Sequence, residues 1–253
     1  MKSFIGLLKK EMLISRFWYI TYLIIILVGL TGGAFFANRV DEPSMIGPMI
    51  IMFMPLQLFF LPLMVHSLLK TEGRTQLWLY NPQSSVKLLL AKVTTALMFQ
   101  IISQILWISC GSIMMKLLNN QNISWKAIIL TNVGLLSVGL YLTIWVIFLW
   151  TIYHSLGKFP SLRKFRWLAV LLVIIVYNTL ETLFIKIGFI HDRVFKLTTS
   201  VNTTLGFTYK NDTGWTIIYE PIPVPILPII FYTILSFILF IIASKLLDKK
   251  VEV

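Results

Sequence analysis

Acids are scarce in this chain: its 253 residues include 10 Asp and Glu against 22 Lys and Arg, and only 13% of the residues are charged. It also has one cysteine and three histidines. Each shortage excludes a class of chemistry. Cys110 alone cannot form an intramolecular disulfide, and it reads as core packing. His66, His154 and His191 fall in different segments, with no second His or carboxylate at metal-ligand spacing, so no metal centre is expected. There is no Gly-x-x-x-x-Gly-Lys-Ser/Thr phosphate loop and no Ser-His-Asp set in suitable loops. The expectation is a chain that is not an enzyme and binds no cofactor of its own. Polar surface is short as well, since 57% of the residues are hydrophobic and mean hydropathy is +0.84. A soluble domain of this length needs more.

What is present is long apolar runs. A membrane-crossing helix needs about 20 mostly apolar residues, and six stretches qualify: 18–37, 46–69, 88–118, 128–153, 167–187 and 226–247. The expected fold is an all-α polytopic membrane protein with one transmembrane domain over residues 1–253. No cleavable signal peptide is expected, because the first apolar run is long and follows an amphipathic segment. Six spans put both termini on one side. Lys and Arg near span ends are retained in the cytoplasm, and with the N-terminus inside, fifteen of the 22 cations lie inside. The expected location is a bacterial cell membrane, with cytoplasmic termini and basic flanks attracted to anionic lipid. The cations are dispersed over several flanking segments, which argues against a nucleic-acid partner.

Residues 1–16 project as a basic amphipathic helix, with Phe4, Ile5, Leu7, Leu8 and Met12 opposite Lys2, Lys9, Lys10 and Arg16. Such a helix should lie in the headgroup plane; Glu11 and Leu13 spoil the pattern. In the first span Gly29 and Gly33 form a small-xxx-small pair that suits close helix packing, or is simply tolerated there. The second span carries Pro48, Pro55 and Pro62 at seven-residue spacing, near one stripe of a helix. They read either as a hinge or pathway lining, or as static kinks.

Residues 70–92, KTEGRTQLWLYNPQSSVKLLLAK, interrupt the apolar pattern between two spans. Lys70 to Tyr80 can form a short helix that must stop before Asn81, because the residue preceding proline avoids the helical region. Asn81 is then expected to cap a helix with Pro82 in its first position. From Pro82 to Leu118 that helix would be roughly 55 Å long against a hydrocarbon core of roughly 30 Å. Its start must project into the cytosol. A push on the short helix would become movement of the rod.

Glu72, Gly73, Leu77, Leu79, Pro82, Ser84, Leu88, Leu89, Ala91 and Lys92 resemble the cytosolic segment of type-2 ATP-binding-cassette exporter permeases. Six spans after an interfacial helix are similar too. The resemblance implies that residues 70–87 are a coupling segment, with Glu72, Gly73, Leu77, Leu79 and Pro82 at the ATPase contact. It also implies a permease homodimer or heterodimer and a cytosolic ATPase subunit that holds ATP and Mg. Where the family's glycine is followed by Thr and a small or acidic residue, this chain has Arg74, Thr75 and Gln76.

The remaining segments bear on the cargo. Residues 155–166 carry Lys158, Arg163, Lys164 and Arg166 with no acid, which is the clearest orientation signal. Trp145, Trp150 and Tyr153 resemble an interfacial aromatic belt. In the fifth span, Glu181 either faces a pathway for a cationic or amphipathic substrate, pairs with a basic residue, or sits at the interface. Residues 188–225 form an extracellular loop whose Thr, Val, Tyr and Phe suggest extended pairs or a small hairpin; in the resembling family this loop helps close the exit. The expected function is the permease subunit of an ATP-driven exporter. Its nearest resemblance is to exporters of amphipathic peptides, including phenol-soluble modulins, with roles in toxin secretion and antimicrobial-peptide resistance. The alternative is an ATPase-independent transporter, channel or assembly factor.

Overall fold

The computed structural model describes residues 2–75, 83–118, 125–160, 163–186, 198–210 and 214–250. Among the described residues, seven α-helices and one β-hairpin succeed each other: α1 (Lys2–Arg39), α2 (Ile46–Phe53), α3 (Leu56–Thr75), α4 (Ser85–Leu118), α5 (Trp125–Ser155), α6 (Arg166–Lys186), β1 (Thr198–Lys210), β2 (Gly214–Pro225) and α7 (Ile226–Lys250). Among the described residues there are six helical segments long and apolar enough to cross a membrane, with α2 and α3 together making the second.

The first span differs from expectation. Instead of an interfacial helix over residues 1–16 followed by a separate span, α1 is one continuous helix of 38 residues, roughly 57 Å long. No Gly or Pro occurs between Leu7 and Val28 to end it. Leu7, Glu11 and Ser15, spaced one turn apart, are all buried. The acid that spoiled the amphipathic pattern is the centre of the helix's inward face.

The second span is broken, and its prolines do not share one helical stripe. Pro48 lies in the first turn of α2, Pro55 stands at the break, and Pro62 lies inside α3. Pro55 has no N–H for the carbonyl of Ile51, which accepts instead from the N–H of Met54 at 3.2 Å. The N–H groups of Gln57 and Leu58 likewise donate to Met54 and Pro55, each at 3.0 Å. The break is thus a tightened turn with i to i+3 bonds. Pro62 frees the carbonyl of Leu58 in the same way, and there α5 presents Gly139, whose lack of a side chain lets it approach: a Cβ would lie 3.4 Å from that oxygen.

The start of α4 is also displaced. It begins at Ser85, with Gln83 and Ser84 non-helical, so Pro82 is not its first residue and Asn81 does not cap it. The reason lies far away in sequence. The backbone N–H of Ser85 donates to Asp248 Oδ1 at 3.2 Å, and the Ser85 hydroxyl donates to the same oxygen. An acid at a helix N-terminus satisfies free N–H groups and favours that end of the helix dipole. α3 in turn runs unbroken through Lys70 to Thr75, so no separate short helix begins at Lys70. Leu77, Leu79, Asn81 and Pro82 lie outside the described residues.

α3 packs between α4 and α5, α1 lies along α4, and α7 along α5. Leu61, Val65, Leu69, Leu89, Ala96 and Ile147 form the centre of the larger core. Gly29 and Gly33 lie against Phe53 and Met49 of α2. α6 is peripheral, with none of its most apolar stretch buried.

The described chain is not purely α-helical. β1 and β2 pair antiparallel from Thr198↔Pro225 to Lys210↔Gly214, with Thr203 bulged between Asn202 and Thr204. Pro221, Pro223 and Pro225 belong to β2, at alternate positions. Proline cannot donate to a ladder, so this spacing suits a strand with a free edge. The hairpin folds back on the α1–α2 turn: the N–H of Trp215 donates to Ser44 Oγ at 3.2 Å and Tyr209 donates to Glu42 Oε1 at 3.3 Å. Gly214 adopts φ +67°, and a Cβ there would fall 2.6 Å from Ser44 Oγ.

Candidate functional site: a buried four-charge cluster

At the bundle end that holds both terminal helix ends, α1, α3 and α4 bring four charged groups together. Lys92, in the third turn of α4, sits between two carboxylates: its Nζ is 3.0 Å from Glu11 Oε2 and 2.9 Å from Glu72 Oε2. Lys10 closes the set at 2.7 Å from Glu72 Oε1 and 3.6 Å from Glu11 Oε1. Side-chain exposures are 0% for Glu11, 3% for Glu72, 1% for Lys92 and 33% for Lys10. Two acids and two ammonium groups balance. An unbalanced set would be expensive, because burying an ion costs several kcal/mol unless close partners offset it.

The cluster is sealed on its membrane side by rings from the same helices. Tyr19 stacks on Phe99 with centroids 4.2 Å apart, and Tyr22 lies 4.1 Å from Phe60. Below them a polar seam continues along α4. Thr95, Gln100, Ser103 and Gln104 are buried, recurring at helical spacing from Lys92. Gln100 Nε2 donates to the carbonyl of Gln57 at 3.1 Å, and Gln104 Nε2 donates to that of Asn132 at 3.2 Å. Amides of this kind join helices where water is absent. These four charged groups are therefore not a solvated flank; they and the seam hold α1, α3, α4 and α5 in register.

The sequence-predicted residues separate into groups. Glu72 turns into the bundle, held by Lys10 and Lys92. Gly73 faces α5, where a Cβ would lie 3.2 Å from the Trp150 ring. Glu181 is remote from both. The Tyr232 hydroxyl of α7 donates to it, and nearby Tyr141 and Tyr177 share a 2.8 Å hydrogen bond. Trp145 packs on Tyr177 at 4.5 Å and Tyr141 on Tyr232 at 5.3 Å. Sequence reasoning passed over Glu11, Lys10, Lys92 as an ion-pair member, and Asp248. The available signal was Glu11, an acid one helical face away from where a surface helix would carry it.

The described residues thus define a polytopic helical membrane protein with a charge-balanced joint at one end and a hairpin at the other. The chain belongs to the same family as the uncharacterized protein YhcE of Bacillus subtilis, to which it is 31% identical over 260 aligned residues spanning the whole of both chains. No protein-family model matches it, and no solved structure matches it.

Proposed function

We propose that the chain is the membrane subunit of a type-2 ATP-binding-cassette exporter, working as a dimer with a separate cytosolic ATPase that binds ATP and Mg. On this reading the end with the charge cluster faces the cytosol, as the positive-inside pattern implies, and the membrane is the bacterial cell membrane. The observation that carries the proposal is mechanical. Residues 76–82 lie between Glu72 and the start of α4, and the helices on both sides are fastened: Glu72 to α1 and α4, Ser85 to Asp248 of α7. A push delivered at this segment would reach four helices at once, and α4, with 34 residues, is a rod of roughly 51 Å.

Glu72 then serves coupling by joining helices, while Leu77, Leu79 and Pro82 carry the expected ATPase contact. The broken second span with Pro55 supplies the compliant element, and the hairpin stands over the outer ends of α2 and α5 as a cover for the exit. An amphipathic peptide is the cargo proposed, as the resemblance to peptide exporters implies. The test is affinity purification in mild detergent from the native membrane. A stoichiometric ATPase should be recovered, and its hydrolysis rate should change when Leu77 and Glu72 are replaced. Recovery of the chain without an ATPase would favour an ATPase-independent transporter, channel or assembly factor.

A further inference from the structure

A groove of about 600 Å³ opens between α3, α5 and α6, on the side of Glu72 opposite the charge cluster. Its α3 wall presents His66, Lys70, Gly73 and Arg74, one helical face at i, i+4 and i+7/i+8. Its α5 wall presents Val146, Leu149, Trp150, Tyr153 and His154, and Val170 of α6 completes it. The two kinds of lining are segregated by depth. Lys70 and Arg74 lie in the last turns of α3, at the end of the span, while Val146 and Leu149 lie deeper. Arg166 stands beside the rim with its guanidinium 5.6 Å from the Tyr153 ring centre. His154 stacks on Trp150 with centroids 4.0 Å apart, its Nδ1 2.9 Å from the Trp150 carbonyl.

No acid lines this groove, and neither Lys70 nor Arg74 is within ion-pair distance of a carboxylate among the described residues. The contrast with Lys10 and Lys92, on the opposite side of α3, is chemical: there each ammonium has its carboxylates, here the cations and an apolar floor share one cavity. We propose that this groove is a binding site for an anionic phospholipid, whose phosphate is held by Lys70 and Arg74 at the rim and whose acyl chain lies along Val146, Leu149 and Val170. A volume of this size accommodates a headgroup and the first part of a chain. Basic pockets between helices at a span end recognise such headgroups. The apolar floor distinguishes a lipid from a free anion, which would gain nothing from it. The site does not depend on the exporter reading.

The test uses the full chain in nanodiscs made of equal parts phosphatidylglycerol and phosphatidylcholine, released in the mass spectrometer to read bound lipid. The wild-type chain should retain phosphatidylglycerol in preference to phosphatidylcholine. Lys70→Gln with Arg74→Gln should lower that retention roughly tenfold, whereas Lys9→Gln, an exposed cation elsewhere, should leave it unchanged. Val146→Phe, which fills the groove and keeps the cations, should also lower it. Equal retention of the two lipids by the wild type would overturn the proposal without any variant. So would full retention by Val146→Phe, which would reduce the cations to a diffuse surface attraction. Displacement of the lipid by millimolar inorganic phosphate would make the site one for a free anion and overturn it as well.

Discussion

Glu72 and Glu181 are both acids on apolar helices, and the chain treats them differently. Glu72 is enclosed with Glu11 by Lys92 and Lys10, charge for charge, from three helices. Glu181 meets a hydroxyl, that of Tyr232, within a group of aromatic rings on α5, α6 and α7. The first arrangement locks helices, because removing any of its three buried members, Glu11, Glu72 or Lys92, strands a charge in a dry place. The second is soft: losing the tyrosine hydroxyl removes one hydrogen bond and strands no ion pair. The end of the bundle with the ion pairs is thus the stiff one, and α6, which carries Glu181, is the peripheral helix.

The largest effect is expected at the centre of the first arrangement. Lys92→Met leaves two buried carboxylates with only the half-exposed Lys10, and should lower stability by about 3–5 kcal/mol, read as unfolding in mixed micelles. Adding Glu11→Gln to it should restore part of the loss, because that double change returns the cluster to balance. A Lys92→Met chain as stable as the wild type would remove the distinction between the two acids. Tyr232→Phe, its counterpart at Glu181, should cost about 1.5 kcal/mol in the same measurement. Gly214→Ala comes next at about 1 kcal/mol, from a positive φ that side chains avoid. It should appear as faster hydrogen exchange in β1 and β2, with the helices unchanged. Lys10→Met should do least, about 0.5 kcal/mol, because water already reaches its ammonium; a loss as large as that of Lys92→Met would show that the outer cation carries the cluster.

The number and approximate placement of the spans were legible, since runs of about 20 apolar residues have few other uses. The breaks inside and between them were less so. Seven-residue spacing of Pro48, Pro55 and Pro62 suggested one stripe, but a proline within a run acts locally on its own hydrogen bond, and Pro55 ends one helix and starts the next. The Asn81-Pro82 cap is a sound local rule that a long-range partner overrode: Asp248, 163 residues from Ser85 in sequence, supplies the cap. Glu72 was marked by a motif, yet its partners Lys10 and Lys92 could not be paired with it by spacing, because three helices that meet in space leave no periodic trace of one another. Glu11 did leave a local sign, an acid on the wrong face of an amphipathic helix. Seen with Lys92, it is on the right face of a buried one.

For the proposed exporter, the most direct measurement is the ATPase rate of whatever complex is purified with the chain, with and without an added amphipathic helical peptide, for the wild type and for the charge-balanced pair Glu11→Gln with Lys92→Met. The cluster as a transmission joint predicts that the double variant still recovers the ATPase in stoichiometric amount but loses the peptide's effect on its rate. A peptide response equal to that of the wild type would contradict transmission through the joint, and the absence of any ATPase from both preparations would contradict the exporter itself.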